Sequence, residues 1–459
     1  MKRAIFVIVG IGIAIAILFP VINVIVGLPK GIQLGTQAGA PEDYIEVTRI
    51  LGQKCGNCHS AQGNMPFYAS LPLASSIVKG DIAKGKKWFD MVAAFSKTPG
   101  QPVDEAALAK IEKAIQDGSM PPLRYLALHW DGGLTKQEKE TVLNWIRQQR
   151  IVNYASPETP NNLKSAVIRP IPPPPMLDAS KVALGNKLYH DTRLSKDSSI
   201  SCASCHDLAK GGVDRDPVST GVGGAKGGIN SPTVYNAAFH IAQFWDGRAA
   251  DLAAQAAGPP ANPIEMACSW PEIVQKLSAD PGFRAEFEAS YPSGITQENV
   301  CDAIATFEKT LLTPNCAFDK FLNGDQKALS VEGKKGYELF AKAGCITCHS
   351  GTAMGGRSYE LMGRAGDYFG DRGHPTDADL GRASVTKNDA DKHKFKVPTL
   401  RNIDLTAPYF HDASAKTLPE AVVAMGNYEL GIQFADTEVA QIVAFLQSLT
   451  GEYGGKKLE

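Results

Sequence analysis

Two cysteines three positions apart, with a histidine directly after the second, suit one particular chemistry. The thiols can bond covalently to the vinyl groups of a haem while the imidazole ligates the iron from below. The chain carries that arrangement at Cys202-Ala203-Ser204-Cys205-His206. Downstream follow a glycine-rich loop from Gly221 to Gly228, Asn230-Ser231-Pro232-Thr233, Phe244-Trp245-Asp246-Gly247-Arg248, Gln255 and Pro263-Ile264-Glu265-Met266. A haem, a flexible lid and a carboxylate are the parts of a site that cleaves peroxide.

The signature recurs at Cys55-Gly56-Asn57-Cys58-His59 and at Cys345-Ile346-Thr347-Cys348-His349. With Cys and His each 9 of 459 residues, chance supplies such a run roughly 0.003 times. Three together predict three covalently bound haem c groups. Zinc ribbons or structural disulfides are the bland alternative, but four-cysteine zinc needs C-x-x-C pairs in twos, and here the number is odd and a histidine follows each pair. The first cysteines stand at 55, 202 and 345, so 147 and 143 residues separate them, one haem per cytochrome-sized unit. Ala183-Leu184-Gly185-Asn186-Lys187-Leu188-Tyr189 before the second signature and Gly333-Lys334-Lys335-Gly336-Tyr337-Glu338-Leu339-Phe340 before the third read as an internal repeat.

The elements that must hold these groups are helices. Tyr44 to Leu51 approaches Cys55 as a short helix, and Val103 to Ile115 places Leu108, Ile111 and Ile115 on one side until Gly118 stops it. Thr135-Lys136-Gln137-Glu138 is a capping box opening a helix with Val142, Leu143, Trp145 and Ile146. Thr417-Leu418-Pro419-Glu420 is another, starting a helix that ends in Met425. Val439, Ile442, Val443, Leu446 and Leu449 then mark an amphipathic helix stopped by Gly451. Between them, Ile168 to Pro175 reads as a semi-rigid polyproline spacer at a domain boundary. The expected fold is mainly α: three c-type cytochrome-like haem domains in tandem after an N-terminal transmembrane helix, with boundaries at 1–28, 29–165, 166–325 and 326–459.

A chain of this length needs more than one core, and a net charge of −1 argues against nucleic acid as a partner. Met1-Lys2-Arg3 precedes an apolar run from Ala4 to Leu28, broken only by Pro20 and Asn23 and long enough to span a bilayer. A retained anchor in the bacterial inner membrane is therefore expected, with the rest of the chain in the periplasm, where covalent haem attachment is at home. A cleaved signal peptide competes, because Ala38-Gly39-Ala40 resembles a cleavage site.

Iron takes a second axial ligand where electrons are only relayed. For the His59 haem, Met120 in Ser119-Met120-Pro121-Pro122 is the candidate, since a proline-stiffened loop can fix a thioether; Met65, Met91 and His129 compete. For the His349 haem it is Met425, beyond the loop Ala407-Pro408-Tyr409-Phe410-His411-Asp412, with Met354 and Met362 expected to be loop or surface residues. Cys268, Cys301 and Cys316 remain as free thiols or a pair. If residues 297 to 312 are helical, Cys301 lies about 16 Å from the helix end, too far for an easy bridge to Cys316.

From about Leu177 to Leu449, roughly three-fifths of the chain, the order C-A-S-C-H, N-S-P-T, Q-F-W-D-G-R, P-I-E-M, C-I-T-C-H and V-P-T-L-R-N resembles the bacterial di-haem cytochrome c peroxidases. The added N-terminal haem segment is similar to the membrane-anchored tri-haem subgroup that includes quinol peroxidases. The resemblance implies a peroxidatic haem at His206, open to hydrogen peroxide, and a high-potential relay haem at His349. It implies Glu265 as the distal carboxylate that moves a proton between the peroxide oxygens, Gln255 as the glutamine that helps hold peroxide, and Trp245 as the tryptophan between the two haems. It further implies an interdomain calcium ion at Asn230, Thr406 and Pro408. Electrons would come from quinol, close to an anchored first haem, or from a cytochrome c or cupredoxin; a homodimer is among the open oligomeric states.

One departure bears on mechanism. Many relatives carry a histidine on the lid that blocks the peroxidatic iron until the relay haem is reduced; the corresponding residue here is Val222. That predicts an iron open even when fully oxidised, with His240 the remaining side chain that could swing in. Two rival readings are a pure electron-transfer cytochrome, which needs a strong sixth ligand on all three haems, and the di-haem oxidases that modify a partner protein. The latter use a tyrosine where this chain has Met425.

Overall fold

The structure, a computed structural model, describes residues 18, 20–35, 39–95 and 101–459, in two compact units, Met1–Tyr154 and Ala155–Glu459. Both are mainly helical. The only strands among the described residues form two short antiparallel pairs, Tyr359–Leu361 with Lys394–Lys396 and Glu452–Tyr453 with Lys456–Lys457.

In the first unit the helix Glu42–Lys54 runs straight into Cys55 and packs against Lys136–Asn153. Thr135 caps the latter as expected: its hydroxyl accepts from Glu138 N–H at 3.2 Å, and the Glu138 carboxylate accepts from Thr135 N–H at 2.7 Å. The helix Glu105–Asp117 ends at Gly118 in a left-handed turn with φ of 61°. Val47, Ile50, Leu51, Leu108, Ile111, Val142, Trp145 and Ile146 form one buried cluster. A buried Arg150–Glu112 ion pair, 2.5 Å long, lies within this unit.

The expected anchor does not stand. Among the described residues no helix is long and apolar enough to cross a membrane. Residues 4–17 and 19 of the apolar run lie outside the described residues. Where the run is described, residues 20–26 are helical, but Asn23 is buried and its side-chain amide donates to the Leu128 carbonyl at 2.8 Å. The inner-membrane placement built on the anchor is corrected with it.

The second unit is built on two helix pairs, each leading into a haem signature. Ala179–Tyr189 packs on Gln297–Glu308, and Val331–Ala343 packs on Asp436–Gln447. Both contacts are made at a glycine. A Cβ on Gly185 would fall 1.9 Å from the Ala303 carbonyl oxygen, and one on Gly336 would fall 1.9 Å from that of Gln441. The repeat seen in the sequence is thus a repeated helix crossing, with backbone touching backbone.

The proline-rich stretch is not a free spacer in its first half. Ile168, Arg169 and Ile171 are buried, Ile168 bridges to Gly351 just beyond the third signature, and the Arg169 carbonyl accepts from the buried Arg401 at 2.8 Å. Arg401 also binds Asp319 at 2.8 Å and contacts the Cys316 sulfur. Cys268, Cys301 and Cys316 are all buried free thiols, so no bridge joins them.

Candidate active site

Each C-x-x-C-H run makes the same turn. The backbone N–H of His59, His206 and His349 donates to the carbonyl of Cys55, Cys202 and Cys345 at 3.2, 3.0 and 3.0 Å. Both thiols of a pair and the following imidazole are thereby gathered at one end of one helical turn. Burial pushes the Cys55, Cys202 and Cys345 thiols up to about 12. The rings are oriented from behind: His59 Nδ1 donates to the Phe89 carbonyl at 3.0 Å, and His349 Nδ1 to that of Met354 at 3.3 Å with Pro398 alongside. His206 Nδ1 is buried near the Gly212 and Pro232 backbone without a closed hydrogen bond, while Tyr189 donates its hydroxyl to the His206 carbonyl. Burial lowers the pKa of His206 and holds His349 down to about 4, leaving neutral imidazoles fit to ligate iron through Nε2.

The donor sets fit covalent haem. Paired thiols beside an oriented imidazole supply attachment and one axial ligand, and the second unit holds buried polar atoms that no protein atom satisfies, among them His206 Nδ1, His240 Nε2, Ser350 Oγ and Ser358 Oγ.

Around the second signature the structure brings the lid and the carboxylate together. Val222 N–H donates to the Glu265 carbonyl at 2.8 Å, and a Cβ on Gly221 would fall 2.1 Å from the Ile264 carbonyl oxygen. Only a glycine lets the lid close on the Glu265 turn. The Cys205 thiol, raised first by burial, also feels the charges of Asp214 and Glu265. Glu265 is half-buried, and burial raises its carboxyl against the opposing effects of the Asn262 hydrogen bond and the Arg248 charge. The Asn262 amide donates to Glu265 Oε1 at 2.6 Å, and Arg248 stacks over the Phe244 ring at 3.5 Å. Neither Asn262 nor Arg248 was expected in this role, although Asn262-Pro263 three residues before Glu265 is a turn signal. Gln255 lies half-buried on the short helix Leu252–Ala256, capped by Asp251 and followed directly by the segment that delivers Glu265.

Trp245 stands between two stretches of the second unit. Its indole N–H donates to the Asn230 carbonyl at 2.8 Å, its own carbonyl accepts from Lys396 N–H at 2.8 Å, and Phe395 and His411 meet its ring edge to face. Behind it His411 bonds Asp379 at 2.8 Å, and Arg372 clamps Asp379 and Asp412. Asn230 N–H also reaches the His411 carbonyl at 2.9 Å, so Asn230 is brought to the loop carrying Thr406 and Pro408. The Asn230 amide nitrogen faces the Asp216 and Pro217 carbonyls, turning its oxygen away from them.

The axial candidates differ in setting. Met425 follows the helix Leu418–Ala424 and opens a widened turn, Met425–Leu430, of the kind that often marks functional sites. Met354 is fully buried, not a surface residue, and its carbonyl is the partner of the His349 ring. Met65 and Met120 are about half exposed, at 51% and 52%, and Met91 is core. His129 is engaged at both nitrogens, by the Tyr68 hydroxyl at 3.0 Å and the Tyr125 carbonyl at 3.1 Å.

Known proteins are similar to this chain. A cytochrome c peroxidase of Escherichia coli is 48% identical over 424 residues, spanning 92% of this chain and 91% of its own. The chain belongs to the di-haem cytochrome c peroxidase family. That family's description matches residues 179–327, a haem-binding domain matches 33–148 and a cytochrome c domain 333–450, and each match contains one C-x-x-C-H run. The cytochrome c551 peroxidase of Nitrosomonas europaea is 48% identical over 293 residues, 63% of this chain and 86% of that one. Among solved structures, a MauG-like protein associated with microbial copper homeostasis superposes with a TM-score of 0.55 at 29% identity, covering 61% of this chain and 94% of that one. The chain is thus a haem c peroxidase with covalently bound haem, which removes the reading as a pure electron carrier.

Proposed function

We propose that this peroxidase carries three haem c groups and reduces hydrogen peroxide to two waters at the haem held by Cys202, Cys205 and His206. The overall reaction consumes two electrons and two protons: H2O2 + 2e− + 2H+ gives two H2O. The bound haem would supply the redox chemistry that splits the O–O bond. Glu265 accepts the proton of the inner peroxide oxygen and returns it to the outer one, so that the departing group leaves as water. Gln255 helps orient the peroxide, and the lid from Gly221 limits the water around it.

Electrons would enter at the His59 haem, capped by Met120, pass to the His349 haem, capped by Met425, and cross by way of Trp245. The donor would be quinol or a small redox protein, a cytochrome c or a cupredoxin. A calcium ion at Asn230, Thr406 and Pro408 would hold the two stretches around Trp245 in register, by oxygen donors suited to a hard cation.

The observation that carries the reading is Glu265, half-buried, raised by burial and tied to the lid through Val222 N–H, with its charge reaching the Cys205 thiol. Glu265→Gln keeps the shape and removes the proton acceptor. Peroxide turnover should fall by about two to four orders of magnitude with haem content unchanged; turnover near the parent value would refute the role.

A further inference from the structure

Lys396 and His240 meet in the interior of the second unit. Lys396 Nζ lies 2.9 Å from His240 Nδ1, the lysine is 5% exposed, and the other ring nitrogen, His240 Nε2, is buried with no hydrogen-bond partner. The backbone explains the placement. Lys396 ends the strand Lys394–Lys396, its N–H bonds the Trp245 carbonyl, and two residues on the Pro398 backbone borders the His349 ring. His240 lies on the turn that follows the third haem signature: a Cβ on Gly356 would fall 2.1 Å from its Cδ2. Arg357, next in the chain, donates to the Phe239 carbonyl at 3.1 Å, and its charge reaches the His240 ring.

Such a cluster asks for an anion. A buried ammonium costs several kcal/mol unless a negative charge meets it. Asp246, whose charge reaches Lys396, is itself paired with Arg248 at 3.1 Å. A neutral amine would satisfy His240 Nδ1 but would leave Nε2 orphaned, which also costs free energy. A covalent haem brings two carboxylates with it, its propionates, and the His349 haem is attached a few residues before Arg357. We infer that Lys396 and His240, with Arg357 beside them, receive a propionate of the haem carried by Cys345, Cys348 and His349, and that this cationic seat raises that haem's potential. Burial alone holds the Lys396 amine down to about 7, against the opposing Asp246 charge. An anion set against it restores its charge, and a fixed positive charge near the iron disfavours the ferric state. The inference rests on reading residues 345–349 as a haem site.

The test is a spectroelectrochemical titration of the haem-loaded full chain, with haem content checked as the pyridine haemochrome and each haem assigned by its spectrum. Lys396→Met should lower the potential of the His349 haem alone, Lys396→Arg should restore most of it, and His240→Gln should move it the same way by less. A loaded Lys396→Met protein with the parent potential, or with the shift on another haem, would overturn the assignment. Should that variant fail to load, a crystal structure of the parent holoprotein decides. A propionate oxygen within about 3.2 Å of Lys396 Nζ or His240 Nε2 supports the seat, and propionates out of reach of both refute it. Peroxide turnover measured on the parent protein reports separately: its absence would sink the peroxidase reading and leave the potentials to judge the seat.

Discussion

A carboxyl group can take a proton from peroxide only while it is ionised, and two effects contend over that condition at Glu265. Burial raises its pKa, and the Asn262 amide, bonded to Oε1 at 2.6 Å, stabilises the ionised form and lowers it. Removing the amide therefore moves the pKa up. Asn262→Ala should shift the acid limb of kcat/KM to higher pH while leaving the alkaline plateau near the parent level, whereas Glu265→Gln should depress the whole profile. A pH-rate profile of Asn262→Ala that overlays the parent would show that the amide does not hold the carboxylate in the working enzyme. The proposed role of Glu265 comes from the resemblance that P-I-E-M and its neighbouring motifs carry, and those motifs are legible in the sequence. The contacts of Lys396 and His411 could not be read there, since each depends on a partner that only the fold brings near: Lys396 and His240 are 156 residues apart, His411 and Asp379 32.

Elements were legible where a local signal sufficed. Thr135 and Thr417 both cap as their T-x-x-E spacing implied, and Gly118 ends its helix. The proline-rich stretch misled because proline fixes backbone shape but says nothing about burial: Ile168 to Ile171 pack inside, bridged to Gly351. The apolar N-terminal run misled in a similar way, its length counting for more than the buried Asn23 within it. The internal repeat was visible as a pattern, yet its cause, a glycine at each helix crossing, needed the packing. Gly185→Ala and Gly336→Ala each drive a Cβ to 1.9 Å from a backbone oxygen of the facing helix, so the helices must separate. Each change should cost about 1–3 kcal/mol in denaturant unfolding of the holoprotein, as overpacking does. An unchanged midpoint for either would mean that the crossing yields freely.

At the scale of the whole molecule the question is whether electrons must arrive before peroxide can bind. The lid is tied to the Glu265 turn through Val222 N–H, and the side chain it carries at that place is a valine, which cannot ligate iron. The resting, fully oxidised enzyme should therefore show one high-spin ferric haem by electron paramagnetic resonance, and stoichiometric peroxide should abolish that signal without prior reduction. Three low-spin haems would mean that another side chain caps the His206 iron. His240, the nearest rival in the sequence, is already packed on Gly356 and bonded to Lys396, which leaves it poorly placed to swing in. Val222→His supplies the converse experiment. An intramolecular histidine–iron bond worth even about 3 kcal/mol leaves under about one site in a hundred open. The oxidised variant should turn low-spin and lose most of its initial peroxide rate, and it should recover that rate once the His349 haem is reduced and the lid is free to rearrange. A variant that stays high-spin would show that the lid, held as it is against Glu265, cannot bring residue 222 to the iron, and control of access would then have to lie outside this loop.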